Sequence, residues 1–126
     1  MKVLLKSAKI IDPNSGHHQK TMDIFINGGK IDKIGTSLKI SCLDREINLK
    51  DLHVSPGWFD SSVCFGEPGF EERETISNGL KTAASSGFTQ IAFNPNTNSG
   101  IDYNGALISV QSQAQNQPVE IFPVGA

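Results

Sequence analysis

The side chains best suited to chemistry fall in two short stretches, SVCFGEPGFEERET at 62–75 and NPNTNSGID at 94–102. Cys64 could serve as a thiol nucleophile if a base stood beside it. His53 lies well upstream and His17 and His18 sit in a Gly/Ser/Pro-rich loop, so the plainer expectation for Cys64 is a small buried residue. Glu67, Glu71, Glu72 and Glu74 offer carboxylates for acid and base work. They stand before and at the start of a predicted helix, where its dipole and the solvent favour acidic side chains in any case. Asp60 could stand behind a metal ligand, or accept a structural hydrogen bond. The His17 and His18 pair lacks a third ligand in sequence and reads as a solvated pair.

These residues need strands and helices to hold them. The first third of the chain reads as short antiparallel strands: KVLLKSAKII, then DIFI and KIDKI parted by Asn27, Gly28 and Gly29, a hairpin signal because those residues tolerate positive φ. EINLKDLHV reads as a further strand, ended by Pro56 and Gly57. Beyond it the rhythm becomes strand, helix, strand, helix, strand. The first strand covers Trp58 to Phe65, with Trp58 and Phe59 expected in the core. A helix follows at about Thr75 to Ser85, its apolar face made by Ile76, Leu80, Ala83 and Ala84, with Gly87 past its end. Thr89 to Phe93 is the second strand. Tyr103, Ala106, Leu107, Val110 and Ala114 mark a second helix with Asp102 placed to cap it, and VEIFPV is the third strand. Alternation of this kind implies a parallel sheet with helices on its faces, and such folds put their chemistry in loops after the strands' C-terminal ends.

In that context three stretches carry weight. PGWFD (56–60), EPGFEERETI (67–76) and GFTQIAFNPNTN (87–98) resemble the opening of the cyclic amidohydrolases, the dihydroorotases in particular. Neither EPG nor PNT is specific alone, but the two at this separation, on loops after consecutive strands, form a fairly specific signal. The resemblance implies an α/β chain: β-sandwich strands at 1–55, then at 56–126 the first three strands and two helices of an amidohydrolase-type (β/α)₈ TIM barrel. A closed barrel takes about 250 residues, so an incomplete barrel, the front of a longer protein, is expected. The resemblance also implies zinc and reversible hydrolysis of the cyclic amide of dihydroorotate in pyrimidine biosynthesis. Here the sequence departs from the family. Ser62 and Cys64 stand where two metal-binding histidines belong, and Gly66 where an arginine would hold a substrate carboxylate. Serine is a poor zinc ligand and one cysteine cannot define a site. Asn96 keeps a substrate-contacting position. The expectation is therefore a non-catalytic member without a metal or cofactor in this chain. Non-catalytic dihydroorotase-like proteins are structural partners of aspartate carbamoyltransferase, so that enzyme, or a second copy of the chain, is the implied partner. An active dihydroorotase, allantoinase or hydantoinase with an altered metal site that uses Cys64, and a stand-alone binding module, remain open alternatives.

Bulk composition narrows the setting. The chain has 126 residues, 37% of them hydrophobic, and a formal charge of −2 without blocks of one sign, which disfavours nucleic acid or an anionic membrane as partner. The apolar run at Val3 to Leu5 is too short for a signal sequence or a membrane span, so a cytoplasmic protein is expected. Cys42 and Cys64 form neither a disulfide framework nor a CxxC zinc motif.

Overall fold

The computed structural model describes residues 1–94 and 104–124. They form two units, Met1–Pro56 and Gly57–Ala126.

The first unit is a five-stranded sheet. Strands β1 (Lys2–Ile10), β2 (Thr21–Asn27) and β3 (Lys30–Gly35) run antiparallel to their neighbours. Asn27 pairs with Lys30, leaving Gly28 and Gly29 as a two-residue turn with φ of 58° and 81°. Two consecutive positive φ values are what the right-handed twist of a tight hairpin demands, and only glycine meets them without cost. The segment expected to be one strand is two, β4 (Arg45–Ile47) and β5 (His53–Val54), both parallel to β1. Asp51, at φ 58°, turns the backbone between them. The core of this unit is Ala8, Ile10 and Ile24, with Leu5, Met22, Ile26, Ile34, Leu52 and Val54 packed around it.

One buried carboxylate ties the sheet together. Register slips between Leu5 and Ala8, and Ser7 within that irregularity has φ 53°. Asp23 accepts from the Ser7 amide at 2.9 Å, the Leu38 amide at 2.9 Å and Lys6 Nζ at 2.7 Å. Burial opposes ionisation of Asp23, but Lys6 and the two amides together outweigh it and hold its carboxyl below the ordinary range.

The second unit is a three-stranded parallel sheet in the order β6 (Trp58–Val63), β7 (Phe88–Phe93), β8 (Glu120–Pro123), joined through α1 (Ile76–Ser85) and α2 (Asn104–Ala114). Thr75 caps α1, its hydroxyl accepting from the Asn78 amide. Gly87 follows the helix at φ 89°, a value that favours glycine. Ile76, Leu80, Ile91, Phe93, Val110, Val119, Ile121 and Phe65 form the core, Phe65 stacking on Phe93 with ring centroids 5.4 Å apart. The predicted capping residue Asp102, with Tyr103, lies outside the described residues, and the helix itself is described from Asn104.

Two expectations fail in this unit. Trp58 and Phe59 are 62% and 55% exposed, because β6 is an edge strand of the described sheet and both lie away from the cluster the helices cover. The first strand also stops at Val63, two residues early. Past Cys64 the chain leaves the ladder: the amides of Gly66 and Glu67 both donate to the Glu74 carbonyl, at 3.0 and 3.2 Å, drawing the loop toward the start of α1.

Candidate functional site

The predicted site lies at the C-terminal ends of β6 and β7, where a parallel sheet leaves backbone and loops free to meet a ligand. Asp60 pairs with Ile91 and Val63 with Phe93, so three steps on β6 match two on β7 and a bulge falls at Ser61 and Ser62. A bulge takes a residue out of the ladder and leaves its amide to be satisfied elsewhere. Asp60 Oδ1 accepts that amide from Ser62 at 3.0 Å. Ser62 Oγ in turn accepts from Asn94 Nδ2 at 2.9 Å, and the Asn94 backbone amide donates to the Val63 carbonyl at 2.8 Å. The two strand ends are thus joined by a polar tie. The one signal for Asn94 in the sequence is its position immediately before Pro95, directly after an apolar strand.

The remaining predicted residues do not converge on that tie. Cys64 is exposed, contrary to the expectation of a buried side chain, since it stands past the end of the strand at Val63. Its sulfur lies 3.6 Å from the Phe65 carbonyl. Asp60 and Cys64 line a hollow of about 320 Å³ together with Glu74, Gly79, Thr82 and Ser86. A larger hollow of about 590 Å³ lies at the opposite ends of the strands, beside Gln90, Gln111, Gln117 and Glu120. Size therefore does not mark the chemistry here; the strand-end loops do. Asn96 lies outside the described residues.

Three of the four acidic residues in the loop after β6 have a local task. Glu67 accepts the Ile76 amide at 2.9 Å, closing the N-terminus of α1 from nine positions upstream, a long-range cap that no spacing rule signals. Glu74 accepts from Asn78 Nδ2 at 2.7 Å. Glu71 accepts from the Gly69 amide at 2.8 Å; that bond and one from its own amide hold its carboxyl below the ordinary range. In the other unit, His18 Nδ1 accepts from the Asp12 amide, and both His17 and His18 are half-buried where solvated side chains were expected.

A zinc ion at the end of β6 needs donors that converge with lone pairs to spare. Ser62 Oγ is engaged by Asn94, Asp60 Oδ1 by the Ser62 amide, and Cys64 contributes one sulfur. Among the described residues no group of three or more His, Cys, Asp or Glu side chains is gathered as a metal ion requires. The residues at this strand end do not fit the metal that the resemblance implies.

Comparison with known proteins decides the ancestry. The chain is 38% identical over 127 residues to a dihydroorotase of Pelotomaculum thermopropionicum, all of this chain against 29% of that protein. This chain is a homologue of the dihydroorotases. A dihydroorotase of Lactococcus lactis is 33% identical over 126 residues, again 100% of this chain and 29% of the relative. The chain thus spans a little under a third of the length of the curated relatives it matches, which fits their N-terminal portion. No family model matches the chain. Among solved structures, an L-hydantoinase from Arthrobacter aurescens superposes with a TM-score of 0.80 at 22% identity, over 98% of this chain and 27% of the other. A dihydroorotase crystal structure gives a TM-score of 0.67 at 18% identity, over 98% and 31%. These two share the fold with the dihydroorotase homologue described above.

Proposed function

We propose that this chain is the front of a dihydroorotase-like protein of pyrimidine biosynthesis that has kept the family scaffold and lost hydrolysis. The part after Pro56 is then the opening of a (β/α)₈ barrel, and the protein acts as a structural partner of aspartate carbamoyltransferase. The observation that carries this reading is the Asp60, Ser62 and Asn94 network. Where the resemblance calls for histidines at positions 62 and 64, the Ser62 hydroxyl is committed to joining β6 with β7 and Cys64 offers a single exposed sulfur. Two changed ligands and a missing arginine within five residues would leave no group to generate a nucleophile or seat a carboxylate, while the helix caps and core that build the scaffold remain.

The direct test uses the intact protein. Metal analysis after purification in zinc-supplemented medium should find well under one zinc per chain, and dihydroorotate should remain uncleaved. One zinc per chain together with turnover would overturn the proposal. Co-purification with aspartate carbamoyltransferase, followed by light scattering, tests the partner: a complex of defined mass supports it, and two independent species do not.

A further inference from the structure

Gly66 is buried, and its surroundings explain why it is glycine. A Cβ built on it would lie 1.9 Å from the Phe70 carbonyl oxygen, 2.8 Å from the Phe70 carbonyl carbon and 3.1 Å from Arg73 Cβ. The first two are backbone atoms, which cannot swing aside as a side-chain tip can. They are also fixed by hydrogen bonds. The Phe70 amide donates to the Gly66 carbonyl at 2.8 Å and the Arg73 amide to the Phe70 carbonyl at 2.9 Å, while Gly66 and Glu67 donate to Glu74. Above this closed turn the Arg73 guanidinium lies 4.5 Å from the centre of the Phe70 ring.

We infer that Gly66 is a required glycine: the loop after β6 has folded onto the space through which a side chain at 66 would leave the backbone. This strand end therefore cannot carry a guanidinium clamp for a carboxylate ligand. The inference deepens the proposed function and rests on it, for it says what replaced the arginine and why the change is locked. An arginine lost by itself would leave an open strand end that one substitution could restore. Here the Phe70 carbonyl holds the place of the side chain, and the loop around it sets Glu67, Glu71, Glu72 and Glu74 against the single Arg73. Carboxylate-bearing ligands would meet net repulsion there, so any ligand this strand end admits is neutral or cationic.

Hydrogen exchange of the intact protein, read by mass spectrometry over 64–76, tests the closure. In the wild type the amides of Gly66, Glu67, Phe70 and Arg73 should be protected, and Gly66→Ala should raise exchange across that segment by about tenfold or more while strands β1–β3 keep their protection. A wild-type loop that exchanges at the rate of open chain overturns the inference, as does a Gly66→Ala protein whose loop is unchanged. Should Gly66→Ala fail to fold, the wild-type measurement still decides. Calorimetric titration with dihydroorotate supplies a ligand readout: no saturable binding is expected, and micromolar binding that weakens with salt overturns the repulsion. Hydrolysis of a neutral cyclic amide such as dihydrouracil by the same preparation would sink the functional reading and leave the closed loop standing, whereas a rapidly exchanging loop in a protein without hydrolysis would do the reverse.

Discussion

At the scale of single residues, the contrast between Asp23 and Asp60 shows how little a residue type says about its role. Both are carboxylates on strands and both receive backbone amides at an irregularity in the sheet. Asp23 is 4% exposed and gathers two amides and a lysine, so removing its carboxylate strands three donors. Asp23→Ala should cost about 2–3 kcal/mol, read as a lower urea midpoint with an unchanged slope. The pH dependence follows from the direction of its shift. The folded carboxyl titrates below the ordinary value of an aspartate, so the unfolded chain binds the proton first as pH falls. The stabilisation is fully present above the unfolded value, is lost as pH drops through the lower folded value, and does not change between pH 5 and 8. Melting temperatures of wild type and Asp23→Asn should therefore begin to converge only below about pH 4 and go on converging as pH falls through the folded value; a gap that stays constant throughout would contradict the assignment. The sequence did not single out Asp23, because the Ser7 bulge and the Leu38 amide that define its role lie 16 and 15 residues away.

At the scale of elements, the sequence was most legible where periodicity and punctuation agree. Helix α1 begins one residue after its predicted Thr75 start, and Ile76 and Leu80, placed on its apolar face, are both fully buried. Its stability should follow those contacts. Leu80→Ala removes a side chain with no exposed surface and should cost about 2–5 kcal/mol, whereas Thr75→Ala, which loses a 3.3 Å capping bond, should cost about 1 kcal/mol. Thermal melts monitored by circular dichroism would rank the two, and equal losses would show that the cap bears more of the helix than its geometry implies. The β2–β3 hairpin was equally readable from its glycines. What pattern reading could not see was the direction of pairing: Arg45–Ile47 and His53–Val54 have strand-like composition, but nothing local states that they lie parallel to β1. The early end of β6 was hidden for a related reason, since the pull on Gly66 and Glu67 comes from a carbonyl at Glu74.

At the scale of the whole molecule, the question is whether the changes at 62, 64 and 66 are separate losses or one. The resemblance exposed all three positions in sequence, yet sequence could say only that ligands were missing. The structure adds that two of the places are occupied: Ser62 is bonded to Asn94 and the Phe70 carbonyl stands where a side chain at 66 would lie, while Cys64 is exposed just past the strand's end. If each change were independent, reversions would act additively, and Ser62→His with Cys64→His would already gather some zinc. If they form one rearrangement, each reversion meets an obstacle set by another part of the strand end, and the cost of combining them departs from the sum. The triple variant Ser62→His, Cys64→His, Gly66→Arg in the intact protein separates these cases. The coupled account predicts a melting temperature below that of wild type by several degrees or more and substoichiometric zinc, because Gly66→Arg forces the loop off the carbonyl it is closed upon. A triple variant that melts like wild type and retains one zinc per chain would show that the scaffold had merely been emptied, and that its strand end is still the mouth of an active site.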